Sequence, residues 1–121
     1  LHTIATNTRV WHSNHFVAKY IFPGSELPHQ SNLVGKFIDK WYLEDWQNFG
    51  LSYEKTLLAW RQNIGNWEGL DNYDEKFRRM WELYIFGAAG SFHYRHMCLW
   101  QIVYTKINSN RKNDLYYIRN C

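Results

Sequence analysis

Apolar residues between positions 51 and 92 return every three or four positions, the spacing of helices that bury one face. Tyr53, Leu57, Trp60, Ile64 and Trp67 make one such face. Phe77, Met80, Trp81, Tyr84, Ile85, Ala88, Ala89 and Phe92 make a second, on the longest helix of the chain. Ser52 is the expected cap of the first of these helices, with Lys55 where a capping box would hold Glu. Asn72 or Asp74 is the expected cap of the second, which is predicted to run to about Arg95. Outside this region the pattern changes to short apolar runs. Leu1-His2-Thr3-Ile4 reads as a strand that ends near Ile4 and leads into the polar loop Ala5-Thr6-Asn7-Thr8-Arg9. The run over 40–46 is rich in strand formers and is broken by Asn48-Phe49-Gly50. Met97 to Lys106 is a buried strand by its apolar run, Asn108-Ser109-Asn110 turns, and 115–119 adds a short return strand. Two short helices fit between the first strands. One spans 14–21 with Ser13 or Asn14 as cap and is stopped by Phe22-Pro23-Gly24-Ser25. The other starts at Leu27-Pro28, with Pro28 tolerated in its first turn, and continues over 30–37.

The predicted order, β, α, α, β, α, α, β, argues for an α/β layered structure. Three or four strands make a thin sheet, so half of a larger one is expected. The chain also opens on Leu1 with a strand under way and no positive charge before an apolar run. The expectation is therefore a piece of a longer protein, exposing apolar surface and associating with itself.

Composition narrows this picture. With 121 residues, 45% hydrophobic and 19% aromatic, the chain is one domain at most and is not a disordered segment. No apolar run approaches the roughly 18 residues of a membrane span. Two cysteines, one of them the last residue, make no disulfide scaffold, and a cytoplasmic setting is the default. A net charge of +3 permits contact with phosphate or anionic lipid without demanding it. The basic enrichment is Lys106, Arg111, Lys112 and Arg119, read as a solvated end.

Several chemistries are excluded. The seven glycines, at 24, 35, 50, 65, 69, 87 and 90, include no G-x-G pair, so neither a dinucleotide loop nor a P-loop lies in this chain. His12 and His15 are three apart but have no Cys pair or carboxylate nearby in sequence, and no metal site is expected. Cys98 falls mid-strand and reads as a small buried apolar group. His2, near a predicted strand end, and Tyr53, in the first turn of a helix, are the two candidates for a ligand site. Position alone leaves each of them a structural residue or a ligand. The run Gly87-Ala88-Ala89-Gly90 costs helix propensity and suits close approach by a backbone or a ligand.

Taken together, particular blocks of this chain resemble the cyclopropane-fatty-acid synthases, a family that includes the mycolic acid cyclopropane synthases. The blocks are Leu1-His2-Thr3-Ile4, Lys19-Tyr20-Ile21-Phe22-Pro23-Gly24 with Leu27-Pro28, and Glu44-Asp45-Trp46-Gln47-Asn48-Phe49-Gly50 followed by Tyr53 and Thr56-Leu57-Leu58-Ala59-Trp60. Asn72-Tyr73, Phe77-Arg78-Arg79-Met80, Tyr84, Ala88-Ala89-Gly90-Ser91-Phe92 and Leu99-Trp100-Gln101 continue the likeness to about Lys106. The resemblance implies the C-terminal half of a class I S-adenosylmethionine-dependent methyltransferase, a Rossmann-like fold with a mixed sheet. The cofactor-binding half is expected outside this chain, which should be inactive alone. The implied reaction moves a methylene group from S-adenosylmethionine to the cis double bond of a phospholipid acyl chain. The alkene attacks the sulfonium methyl, and a bound bicarbonate takes a proton from the resulting cation as the ring closes.

By the same resemblance the bicarbonate pocket takes an imidazole from His2, a main-chain group from Ile4 and a phenol from Tyr53. The family's Cys and Glu ligands are missing, and Ala5 stands where many members carry Gly. Phe77, Trp81, Tyr84, Ala88 and Phe92 are candidates for the wall of an acyl-chain tunnel, with plain core packing the favoured role residue by residue. The implied partner is a membrane phospholipid met peripherally at the inner face of the membrane from the cytoplasm, without nucleic acid; a homo-oligomer is an expectation of the exposed apolar surface and not of the resemblance. One alternative keeps the fold and changes the acceptor, as another lipid methyltransferase. A rival of a different class is an aromatic-rich module that binds single-stranded nucleic acid or peptide.

Overall fold

The computed structural model describes residues 1–8, 14–35, 39–65, 67 and 69–107. Strand β1 spans His2–Thr6, and a π-helical turn covers Val17–Ile21. Helix α1 (Gln30–Gly35) and strand β2 (Trp41–Asn48) follow. Helices α2 (Gly50–Ile64) and α3 (Glu75–His93) then lead to β3 (Met97–Lys106). This is an α/β fold. The last strand lies between the first two, in the order β1-β3-β2, antiparallel to both. β1 and β2 therefore run parallel to each other. The predicted element order holds through β3, while the predicted strand at 115–119 lies outside the described residues.

The two faces of the sheet carry different layers. Ile4, Met97 and Leu99 face α2 and α3, packing with Tyr53, Leu57, Ile85, Ala88, Ala89 and Phe92. Ala5 and Ile102 face the other way, onto Leu33 of α1, with Trp46, Trp100 and Tyr104 around them. A bulge in β2 decides what joins which layer. Leu43 pairs with Tyr104 and Asp45 with Val103, so Glu44 is the extra residue. The inserted residue turns Trp46 onto the α1 side with Trp100, the two rings meeting edge to face at 5.0 Å.

Helices α2 and α3 form an antiparallel hairpin inserted between β2 and β3. Its outer pairings are Arg61 with Glu82 at 3.2 Å and His93 Nδ1 with Glu54 at 3.0 Å. Asp74 is the cap of α3, its Oδ1 accepting from the Phe77 N–H at 2.8 Å. The predicted cap of α2 is different. Helix α2 begins two residues before Ser52, and Asn48 Oδ1 accepts the Gly50 N–H at 2.9 Å. α2 also stops at Ile64, so Trp67 lies beyond it and stacks with Tyr73 and Phe77. α3 ends at His93, short of Arg95. The Arg95 N–H bonds to the Phe92 carbonyl and the His96 N–H to the Ser91 carbonyl, with Arg95 at φ 57°. That is a Schellman termination with Arg where glycine is usual.

The helix predicted over 14–21 is shorter and looser than expected. Asn14 Oδ1 accepts the Phe16 N–H at 2.9 Å, and the turn then widens to π geometry from Val17. Ser13, His12, Phe37 and the basic residues after Lys106 lie outside the described residues.

Candidate functional site

One cavity joins the sheet, the helical hairpin and the irregular segment after β1. Its volume is about 250 Å³. Ile4 and Met97 form its floor on the sheet, and Tyr53 enters from α2. One face of α3 supplies Leu83, Tyr84, Gly87, Ala88, Ser91 and Phe92. Asn14, Phe16, Val17, Phe22, Ser25 and Leu27 close the remaining side. Among the described residues no charged side chain lines it.

Each wall follows from local structure. Ile4 reaches the cavity because period-two alternation sends it to the face opposite Ala5. Tyr53 is the fourth residue of α2, its N–H bonded to the Phe49 carbonyl at 2.9 Å. Its ring is held edge to face against Phe92 at 5.1 Å and Trp60 at 5.9 Å, geometry that favours one orientation. Phe22, just past the π turn, meets Tyr84 edge to face at 5.7 Å and brings the irregular segment over α3. A Cβ built at Gly87 would meet nothing within 4 Å. The small-residue run therefore leaves space in the cavity instead of seating another backbone.

Two phenols face the same space. Burial pushes the Tyr84 hydroxyl above its usual pKa, and the neighbouring Tyr53 adds to the shift. Tyr84 is thus held as a neutral phenol. Ser91 is occupied locally, its hydroxyl donating to the Gly87 carbonyl at 2.9 Å.

The predicted site residues divide as follows. Ile4 and Tyr53 share the cavity, as do Tyr84, Ala88 and Phe92. Phe77 and Trp81 do not line it. They belong to a chain of rings from Trp67 and Tyr73 through Phe77 and Trp81 to Tyr84, with centroids 4.6–6.2 Å apart along it. His2 is exposed and lies outside the cavity lining. It also stands at the start of β1 and not near its end, because Ala5 and Thr6 continue the ladder opposite Cys98 and Met97. Alternation still puts His2 on the same face as Ile4. Cys98 is buried as predicted, but as the second residue of β3 and not in mid-strand, its Sγ donating to Asn7 Oδ1 at 3.1 Å.

The ladder supplies one further group. Leu1 and Ile102 exchange both main-chain hydrogen bonds, each 2.8 Å. Bonding then alternates, so Thr3 and Ala5 bond to β3 while His2, Ile4 and Thr6 turn their amides to the open edge of β1. The Thr6 N–H duly bonds outward, to the Pro28 carbonyl at 3.0 Å. The Ile4 N–H is a donor on that open edge. Phe22 and Leu27 were missed as lining residues because they come from irregular backbone, and Phe16 because its helical turn is too short for a periodicity to mark an inward face.

The profile of the mycolic acid cyclopropane synthetase family matches residues 1–102. The chain belongs to this family. It is 37% identical over 108 residues to the cyclopropane-fatty-acyl-phospholipid synthase of Escherichia coli K12, covering 88% of this chain and 28% of that protein. The cyclopropane synthase MmaA2 from Mycobacterium tuberculosis superposes with a TM-score of 0.77 at 22% identity, over 86% of this chain and 42% of that one. The mycolic acid cyclopropane synthase CmaA1, complexed with SAH and CTAB, superposes with a TM-score of 0.71 at 21% identity, over 86% of this chain and 42% of that one. The chain thus has part of the fold of these synthases and spans 28% of the Escherichia coli protein and 42% of each of the two solved synthases. An uncharged lining and the lack of a glycine-rich loop do not suit the nucleoside and amino-acid ends of S-adenosylmethionine. The cavity suits an apolar chain.

Proposed function

We propose that this chain forms the acceptor side of an S-adenosylmethionine-dependent cyclopropane synthase acting on an unsaturated phospholipid acyl chain. The observation that carries the reading is the meeting of Ile4 and Tyr53 with Tyr84, Ala88 and Phe92 around one apolar cavity. Bound S-adenosylmethionine would supply an electrophilic methyl group. This chain's residues would hold the acyl chain, exclude water and seat the base. The Tyr53 phenol in the cavity and the Ile4 N–H on the adjoining β1 edge are donors suited to a small anion such as bicarbonate, and the His2 imidazole, exposed outside the lining on the same sheet face, is the third donor in this reading. In an oily cavity such contacts strengthen, and an anion held there stabilises a nearby cation and accepts its proton.

The rim favours a lipid. Phe22 and Leu83 line the cavity and are also about half exposed, 48% and 59%. Tyr20, two residues before Phe22 and also exposed, has Lys19 Nζ 5.0 Å from its ring centre. An apolar rim with a snorkelling lysine suits peripheral contact with a phospholipid surface, at the cytoplasmic face in this reading.

The test uses the complete enzyme containing this chain, vesicles of unsaturated phospholipid and S-adenosylmethionine, with acyl products read by mass spectrometry. The expected product gains one methylene and loses its double bond. A methyl branch or a hydroxylated chain would point to a sibling lipid methyltransferase. Tyr53→Phe and His2→Ala are each expected to slow turnover about 10²- to 10³-fold, as loss of one oxyanion donor does elsewhere. Near-normal turnover in both would remove the proposed base site.

A further inference from the structure

On the helix-covered face of the sheet, successive rows across the three strands differ in character. The row Ile4, Leu99, Phe49 is apolar and packs under α2 and α3. The next row is polar throughout: His2 opposite Gln101, and Gln101 opposite Gln47. Gln101 interrupts an otherwise apolar alternation on this face of β3, from Met97 and Leu99 to Val103. Gln101 and His2 are both exposed, so this row lies beyond the cover of the helices, where polar side chains can meet each other and a ligand.

Register brings these side chains close. Leu1 and Ile102 are a hydrogen-bonded pair, so His2 and Gln101 are a non-hydrogen-bonded one. Such pairs have Cα atoms only about 4.5 Å apart, with side chains nearer each other than in the alternate pairs. Behind Gln101 the row is anchored. Gln47 Nε2 donates to Asp45 Oδ2 at 2.8 Å, and the carbonyl oxygen of the same amide is able to accept. A Gln101 amide donating there would present its own carbonyl to His2.

We propose that Gln101 positions the His2 imidazole, resting on the reading above that His2 helps hold the anionic base. Accepting a hydrogen bond from one ring nitrogen, Gln101 fixes the tautomer and turns the other nitrogen toward Ile4 and Tyr53. A partner at one imidazole nitrogen sets what the other can do. Gln47 and Asp45 orient Gln101 in turn.

The experiment compares Gln101→Leu, Gln101→Glu and His2→Ala in the complete enzyme, with phospholipid vesicles and added bicarbonate. Gln101→Leu is expected to lower kcat about 10-fold or more, the scale of losing a supporting partner elsewhere, with KM for phospholipid unchanged. Gln101→Glu keeps the acceptor and should recover most of the rate, and higher bicarbonate should partly restore the Leu variant. If His2→Ala is slow while Gln101→Leu matches the parent enzyme, the Gln101 role is overturned and the base site stands. If His2→Ala is itself near normal, the Gln101 role falls with that of His2, and the base site is left to Ile4 and Tyr53. Equal losses in the Leu and Glu variants would also overturn the proposal, because the acceptor would not matter.

Discussion

Tyr84 shows how much one side chain depends on its surroundings. Its ring meets Phe22 and Trp81 edge to face, and burial holds its phenol in the neutral form. A tyrosine whose folded pKa is raised adds stability that is complete below its unfolded value and is lost as pH rises through the folded one. Thermal stability should therefore decline as pH climbs past tyrosine's ordinary value of about 10. Tyr84→Phe should flatten that alkaline decline, which melting curves at a series of pH values would reveal. An unchanged slope would show that Tyr84 does not titrate with unfolding. The helical spacing identified Tyr84 as inward-facing. It did not separate Tyr84, which borders a cavity, from Phe77 and Trp81, which stack among other rings, because one stripe serves both purposes.

Helices and strands were legible to the extent that local forces decide them. The α3 face, its Asp74 cap and the whole of β3 follow from spacing and from one side-chain acceptor. The ends were less legible. α2 is capped from Asn48 on the preceding strand, and α3 closes through Arg95 in a left-handed conformation. A left-handed residue with a Cβ costs roughly 1–2 kcal/mol, which glycine escapes. Arg95→Gly should thus stabilise the chain by up to about 1 kcal/mol, since glycine also gains unfolded entropy. Chemical denaturation would measure it, and a loss of stability would mean that the Arg95 side chain contributes more than its backbone strain removes.

For the molecule as a whole, the exposed surface is the prominent feature. Leu58, Trp60, Leu83, Phe86 and Tyr94 are all well exposed on the helical hairpin and just past its end, Tyr94 by 73%. Among the described residues, β1 is an edge strand on which the Ile4 amide points outward. Large exposed apolar patches and unpaired edges promote association. Sedimentation of this chain should show dimers or larger species, and a clean monomer across micromolar concentrations would contradict this. What the residues determined alone is the element order, the inward faces of α2 and α3, the buried Cys98 and the family to which the chain belongs, since periodicity, capping and motif are carried by neighbours in sequence. Tertiary structure decided the rest. The β2 bulge chose the layer of Trp46, the ladder turned the Ile4 amide outward, and folding the irregular segment over α3 closed the cavity while leaving His2 outside its lining. Those outcomes depend on pairings between distant residues, whose energies appear only when the strands meet.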